Sequence, residues 1–309
     1  MNSNAKLGIK DDLENNPTQT FEDLLENTNL EKSKNSFRGI LDILQMILKE
    51  LVSFLKHSAG GLVTFEFLKL AIPLLVLWEI LPRTGIVSRN LMPALSDVFM
   101  SFFDLLLHKN LFGHVIDSMS TFFLGLIIAV IIAVPLGIIV GWNEFIRKHI
   151  LPLFQILAPI PPTAWVPITI VILGIGLPMK IFLIFLGAFY PIFLNTYQAV
   201  KDTDPRYISS ARAFGASEFY LIIHVYFWHA FGAIIMSIKT GIALGLVVLT
   251  AAEMYGSKSG IGFLLNQAKE FFQIPVMVVC MLILGWIGWF LIEILKHVEL
   301  RISLWKEVR

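Results

Sequence analysis

The sequence predicts an all-α fold, a polytopic membrane bundle of about six transmembrane helices preceded by an amphipathic helix. Three observations carry this. Of 309 residues, 56% are hydrophobic and 15% charged, and the mean hydropathy is +0.74, above that of soluble domains. The apolar residues fall in runs near the roughly 20 residues that cross a hydrocarbon core of about 30 Å. The charges collect at the ends, with 7 of the 24 Lys and Arg residues in the first 60 positions and 4 after residue 295. A net charge of +1 without a clustered basic surface excludes nucleic acid as a partner. The single cysteine, Cys280, lies in an apolar run and is expected as a small buried hydrophobe rather than a metal ligand.

Residues 1–38 are polar, with too few large apolar groups to offset the entropy of ordering, and read as a mobile cytoplasmic tail. No apolar stretch or small-residue cleavage site follows Met1, so a cleaved signal peptide is not indicated. Over 39–60 the residues Ile40, Ile43, Leu44, Ile47, Leu51 and Phe54 recur at helical spacing with charges between them. This amphipathic helix either lies in the headgroup region or packs along the bundle.

The remainder, 61–300, holds six expected spans: Phe67–Leu81, Asp117–Trp142, Leu151–Leu173, Ile181–Val200, Ala230–Ala252 and Pro275–Leu295, with 301–309 as a second tail. Pro159, Pro161, Pro162 and Pro167 predict a broken third span, whose freed carbonyls and Thr163 line a passage or whose kink only improves packing. With the N-terminus inside, 16 Lys and Arg residues fall on the cytoplasmic side and 6 outside. The positive-inside rule therefore places both termini in the cytoplasm. The lipid bilayer is the first partner this sequence implies.

The cytoplasmic segment 201–229 is too long and too patterned for a simple connector. Asp204 can cap a helix begun by Pro205, Gly215 can end it, and Ser217 with Glu218 can start another. Ala211, Ala213 and Phe214 would give this elbow an apolar face suited to a partner's groove.

This stretch resembles the EAA loop of ABC importer permeases, in which a glycine follows a short helix that docks on the ATP-binding subunit. From about Leu75 to Glu293 the chain is similar to the permeases of nitrate, sulfonate, taurine and bicarbonate importers. The resemblance rests on several ordered stretches: Leu77-Trp-Glu-Ile-Leu81, Pro135-Leu-Gly137, Pro161-Pro-Thr-Ala-Trp-Val-Pro167, Gly174-Ile-Gly176, Tyr190-Pro191 to Tyr197, Ala211-Arg-Ala-Phe-Gly-Ala-Ser217, Ala251-Ala-Glu-Met254 and Ser259-Gly-Ile-Gly262. Aligning Gly215 with the family glycine puts Ser209 and Ser210 where Glu and Ala are usual, and Trp228 where Pro is usual. The partner contact is expected to be reshaped there, with the docking role kept by Arg206, Ser209, Ser210, Ala211, Arg212, Phe214, Gly215, Ala216 and Ser217.

The resemblance implies a type I importer fold in the bacterial cytoplasmic membrane, a second copy of the chain, two ATP-binding subunits and an extracytoplasmic solute-binding protein. ATP and magnesium would sit on the partner ATPase; this chain carries no Gly-x-x-x-x-Gly-Lys-Ser/Thr stretch, is not itself an enzyme, and binds no cofactor. The cargo would be a small anion. Candidates for the translocation path are Thr163, Trp165, Asn195 and Lys239, and for an outer gate Glu253 and Gly260. Lys239 attracts an anion in transit or is a structural lysine bonded to neighbouring carbonyls; Glu253 serves a gate or anchors a helix end or loop. Two other classes compete. A secondary transporter would be expected to carry an internal repeat and paired acidic groups within its spans, and an intramembrane enzyme a nucleophile with its base.

Overall fold

The computed structural model describes residues 61–303 apart from 86, 89 and 90. The expected tail 1–38, the amphipathic helix 39–60 and residues 304–309 lie outside the described residues. The chain divides into two units, 1–77 and 78–309. Helix α1 (Gly61–Arg83) covers the first expected span and starts ahead of Phe67. Pro82 and Gly85, at φ +77°, stop it.

Within the second unit, the end of α1 is tied to the start of α2 (Leu95–His108), an element the sequence reading left as connector. The Trp78 indole donates to Pro93 O at 3.0 Å, and Glu79 accepts from Ser96 N and Oγ at 3.1 and 3.0 Å. α2 buries Val98 and Leu105, seven positions apart on one face.

α3 (Leu111–Trp142) begins ahead of the expected Asp117, because the apolar stripe continues outward as far as Leu111. α4 (Glu144–Leu157) is started by Asn143, whose side chain accepts from Phe145 N and Ile146 N at 2.9 and 3.2 Å. The Pro159–Pro162 run then breaks the chain as expected: a 3-10 turn (Pro162–Trp165) leads into α5 (Val166–Leu173), and the pair is bent by 82°. α6 (Leu177–Lys201) follows, then the short α7 (Pro205–Ala213) and α8 (Glu218–Leu221). A π-turn (Ile222–Tyr226) joins α8 to α9 (Phe227–Gly256), and α10 (Ile261–Glu270) and α11 (Ile274–Ser303) complete the unit. α11 runs past the expected Leu295 and includes residues 301–303, which the sequence reading gave to the tail.

Two further boundaries differ from expectation. Residues Glu218–Tyr255 form one 38-residue helical run, so the expected loop 201–229 ends at Ser217 and its remainder, 218–229, belongs to the fifth span. No proline or exposed glycine separates Glu218 from Ala230, which leaves the helix nothing to end on. α10 also replaces an expected connector; Ile261, Leu264, Leu265 and Ala268 form its buried stripe.

Four helical runs are long and apolar enough to cross a membrane among the described residues: α3, α6, Glu218–Tyr255 and Ile274–Lys296. The bent α4/α5 pair is a fifth if it counts as one span. α6 sits between α3 and α9 and supplies Ile184, Ala188, Ile192 and Phe193 to the central core. α3 meets it with Gly125, Ala129, Ala133, Gly137 and Gly141, all buried and spaced by four, so the two backbones approach closely. Phe122, Ile242, Leu246 and Leu249 close the core from either side. Cys280 is fully buried in the cluster that joins α2, α10 and α11, as a small hydrophobe should be.

Candidate functional site

The elbow forms as its residues require. Asp204 Oδ1 accepts from Arg206 N at 2.8 Å and caps α7. At the other end Gly215 takes φ +82°, Gly215 N donates to Arg212 O at 2.9 Å and Ala216 N to Ala211 O at 3.1 Å. That pair of bonds is a Schellman closure, which satisfies the last carbonyls of α7 and needs a left-handed residue at Gly215. Ser217 Oγ then caps α8 by accepting from Tyr220 N at 3.3 Å.

An ion pair braces the corner: Arg212 donates to Glu218 Oε1 at 2.8 Å, while the Trp142 indole donates to Glu218 Oε2 at 3.2 Å. The two short helices are thereby held to each other and to the end of α3. Exposed pairs of this kind contribute little to stability, about 0–1 kcal/mol, but here they fix an angle.

Exposure sorts the elbow residues. Phe214 is 93% exposed, and Phe219, Tyr207 and Tyr220 are exposed beside it. Arg206, Ser209, Ser210, Arg212, Gly215 and Ser217 also face outward. Ala211 and Ala216 do not: they are half-buried against Ile138, Val200, Leu221 and Tyr226. The expected outward apolar face of Ala211, Ala213 and Phe214 is therefore corrected at Ala211, whose small side chain lets α7 lie close to the spans. The aromatic ring of Phe214 supplies the outward apolar knob.

No hydrogen bond or ion pair joins the four residues assigned to a path to one another. Thr163 and Asn195 are exposed on the 3-10 turn and on α6. Trp165 packs against Val166, Met179, Leu183 and Val248, with its indole N–H buried and unpartnered. An unpaired buried donor costs about 1–3 kcal/mol, so such a group calls for an explanation. Lys239 is held by a carboxylate rather than by the carbonyls expected of a structural lysine. Its ammonium meets Glu299 Oε2 of α11 at 2.6 Å, the two side chains being 16% and 31% exposed. Sequence reading missed this partner because the two residues lie 60 positions apart.

Glu253 and Gly260 are brought together. Glu253 is 1% exposed; it accepts from Ser118 Oγ at 2.7 and 2.9 Å and from Gly262 N at 2.8 Å. Ser118 Oγ in turn accepts from Ile261 N at 2.8 Å, and His114 Nδ1 accepts from Gly260 N at 3.0 Å. Three of the four free amides at the start of α10, those of Gly260, Ile261 and Gly262, are thus satisfied by side chains of α3 and α9. Gly260 lies at φ +113°, and a Cβ there would overlap Glu253 Oε1. Of the two roles the sequence left open for Glu253, the geometry is that of an anchor for the 257–262 turn. Nearby, the buried Lys180 donates to Ser257 Oγ at 3.1 Å.

Breaking the Lys239–Glu299 pair from one side is expected to destabilise the protein by about 1–2 kcal/mol, since a half-buried carboxylate is left without its cation. Thermal unfolding in detergent should show Lys239→Met melting below both wild type and the double variant Lys239→Met/Glu299→Leu. A double variant that folds normally yet loses uptake would return the lysine to the path.

Residues 133–302 match the family described as "Binding-protein-dependent transport system inner membrane component". A probable ABC transporter permease of Brucella abortus is 31% identical over 230 residues, covering 74% of this chain and 91% of that protein. The taurine transport system permease TauC of Escherichia coli is 29% identical, covering 63% and 71%, and the nitrate import permease NrtB of Synechocystis is 29% identical, covering 62% and 70%. Among solved structures, the inward-facing MetNI methionine ABC transporter superposes with a TM-score of 0.54 at 20% identity, covering 63% of this chain and 95% of that one.

Proposed function

The chain belongs to the family of binding-protein-dependent transport inner-membrane components, the permease subunits of ABC transporters, and from that premise we propose that two copies form the translocation path of an importer for a small anion. The observation that carries the reading is the elbow, an exposed Phe214 on a braced helix–glycine–helix corner that continues without a break into the fifth span. A partner ATPase seated on Arg206–Phe219 would move the corner as a lever. Because Glu218–Tyr255 is one helical run, that motion would reach Glu253 and the turn it anchors.

A single protomer leaves large apolar faces uncovered, among them Val171, Ile172 and Ile175 of the broken span. A second copy about a two-fold axis, together with lipid, would cover them. The unpartnered indole N–H of Trp165 is the path group best able to bond an anion in transit, and Thr163 lies two residues away. The anion class follows from the relatives named for taurine and nitrate. Delivery would fall to an extracytoplasmic solute-binding protein, and hydrolysis of magnesium ATP to the separate subunit.

Purification in detergent after co-expression with ATPase and binding-protein genes tests the assembly. Two permeases with two ATPase subunits, and hydrolysis stimulated by the loaded binding protein, is the expected result. Elution of the permease alone would favour a gradient-driven secondary transporter. Topology has its own check. A phosphatase fused after Arg309 should be inactive and a fluorescent protein active, since the bias of Lys and Arg predicts both termini in the cytoplasm; the reverse pattern would invert the protein in the membrane.

A further inference from the structure

A cavity of 430 Å³ opens beside the anchored turn, lined by Lys109, His114, Leu264, Gln267, Phe271 and Gln273. It lies between the C-terminal end of α2, the first turn of α3, and the middle and C-terminal end of α10, on the face that the proposed topology puts outside. Its polar lining is made of groups that can donate. Lys109 offers an ammonium, and Gln267 and Gln273 offer side-chain amides that make no hydrogen bond among the described residues. His114 is fixed by the bond from Gly260 N to Nδ1, so a neutral ring carries its proton on Nε2 and is also a donor. No carboxylate lines the cavity; Asp117 lies one turn along α3 from His114, near enough to act on its ring, and Glu270 on α10 already accepts from Asn266 at 3.0 Å.

We propose that this cavity is an outer subsite for a small oxyanion, a sulfonate or carboxylate, held by Lys109, the His114 Nε2–H and the amides of Gln267 and Gln273 on a floor of Leu264. The inference rests on the anion-importer reading and deepens it by placing the first contact the permease makes with its cargo. The size fits a solute of a few heavy atoms with its remaining hydration water. The cavity wall is preorganised, because the amides of Gly260, Ile261 and Gly262 are pinned by His114, Ser118 and Glu253 before any anion arrives. The same pins tie the wall to the helical run that begins at the elbow.

The test has two arms. Trifluoromethanesulfonate titrated onto the full transporter in nanodiscs, without binding protein, should show ¹⁹F line broadening that excess taurine or ethanesulfonate reverses. Lys109→Met and Gln267→Leu should each reduce the broadening at least about fivefold. Lys109→Arg should retain it, and so should Lys258→Met, which removes an exposed cation of the neighbouring turn. Broadening unchanged in Lys109→Met, or lost equally in Lys258→Met, overturns the site. In the second arm, cells carrying the wild-type system are offered nitrate, bicarbonate, taurine and short alkanesulfonates. Uptake of one of them, slowed by Lys109→Met at an unchanged half-saturating concentration of binding protein, is the expected result. A shift in that concentration instead would reassign Lys109 to docking of the binding protein and overturn the subsite. No uptake of any anion by the wild type fails the importer's anion reading, and a normal wild type with unaffected variants fails the subsite alone.

Discussion

Gly137→Leu is expected to leave almost no folded permease in the membrane, at least about tenfold below wild type by immunoblot and by size-exclusion of the detergent-solubilised protein. The reason is distance. A Cβ at Gly137 would stand 2.8 Å from Thr196 Cβ and 3.0 Å from Phe193 O, and a Cβ at Gly141 would stand 2.6 Å from Val200 Cβ. α6 therefore has its own side chains and backbone against the bare backbone of α3, at Gly125, Gly137 and Gly141 alike. Water does not drive helices together inside a bilayer, so packing at this seam is the attraction itself. Forcing an isobutyl group into it separates the helices along the whole contact and forfeits dispersion from both. Overpacking a well-filled core costs about 1–3 kcal/mol and often more, against a total stability of about 5–15 kcal/mol. Gly137→Ala is the milder case, and Thr196→Gly should partly rescue it by deleting the atom it meets. Gly285→Leu gives the comparison, because nothing lies within 4 Å of a Cβ at that position in the protomer. Equal levels of Gly137→Leu and wild type would show that α3 and α6 do not meet along this face.

The elements legible in the sequence are those whose cause is local. Asp204, Pro205, Gly215 and Ser217 fix the elbow through bonds no longer than a helix turn, and Pro159 to Pro162 break the third span because prolines remove donors wherever they stand. What the sequence concealed depends on partners far along the chain. Lys239 reads as an isolated intramembrane charge until α11 brings Glu299 beside it, and nothing local to Glu253 announces that Ser118, 135 positions earlier, bonds to it. α2 and α10 were passed over for another reason. At 14 and 10 residues they are too short to span, and a reading organised by spanning length treats them as connectors although their buried stripes are present in the sequence. The seam on α3 was readable too. Thr121, Gly125, Ala129, Ala133, Gly137 and Gly141 recur every fourth position, a small-residue pattern that hydropathy alone does not register.

Gly215→Glu is expected to separate transport from folding, with the variant reaching the membrane in near-normal amount while co-purifying ATPase and anion uptake fall below about a twentieth of wild type. The two halves of this expectation come from different observations. Nothing lies within 4 Å of a Cβ at Gly215, so a side chain there starts into open space, and the strain of a non-glycine residue at φ +82° costs only about 1–2 kcal/mol. That loss is local to an exposed corner still capped by Asp204 and Ser217. The surface so altered is the one beside Phe214, whose ring is 93% exposed and has no packing role in the protomer. A carboxylate beside that ring would have to be desolvated in the docked complex without a partner built for it, and buried unpaired charge is among the costliest errors an interface can contain. Phe214→Ala should reproduce the uncoupling without adding charge or strain, and Gly215→Ala should fall between, paying the backbone term alone. Glu218→Gln tests the brace: it weakens the bond to Arg212 while leaving Phe214 and Gly215 in place, so the ATPase should still bind while the uptake per ATP hydrolysed declines. Normal ATPase association and normal uptake in both Gly215→Glu and Phe214→Ala would place the docking surface elsewhere on the cytoplasmic face and remove the elbow from the mechanism.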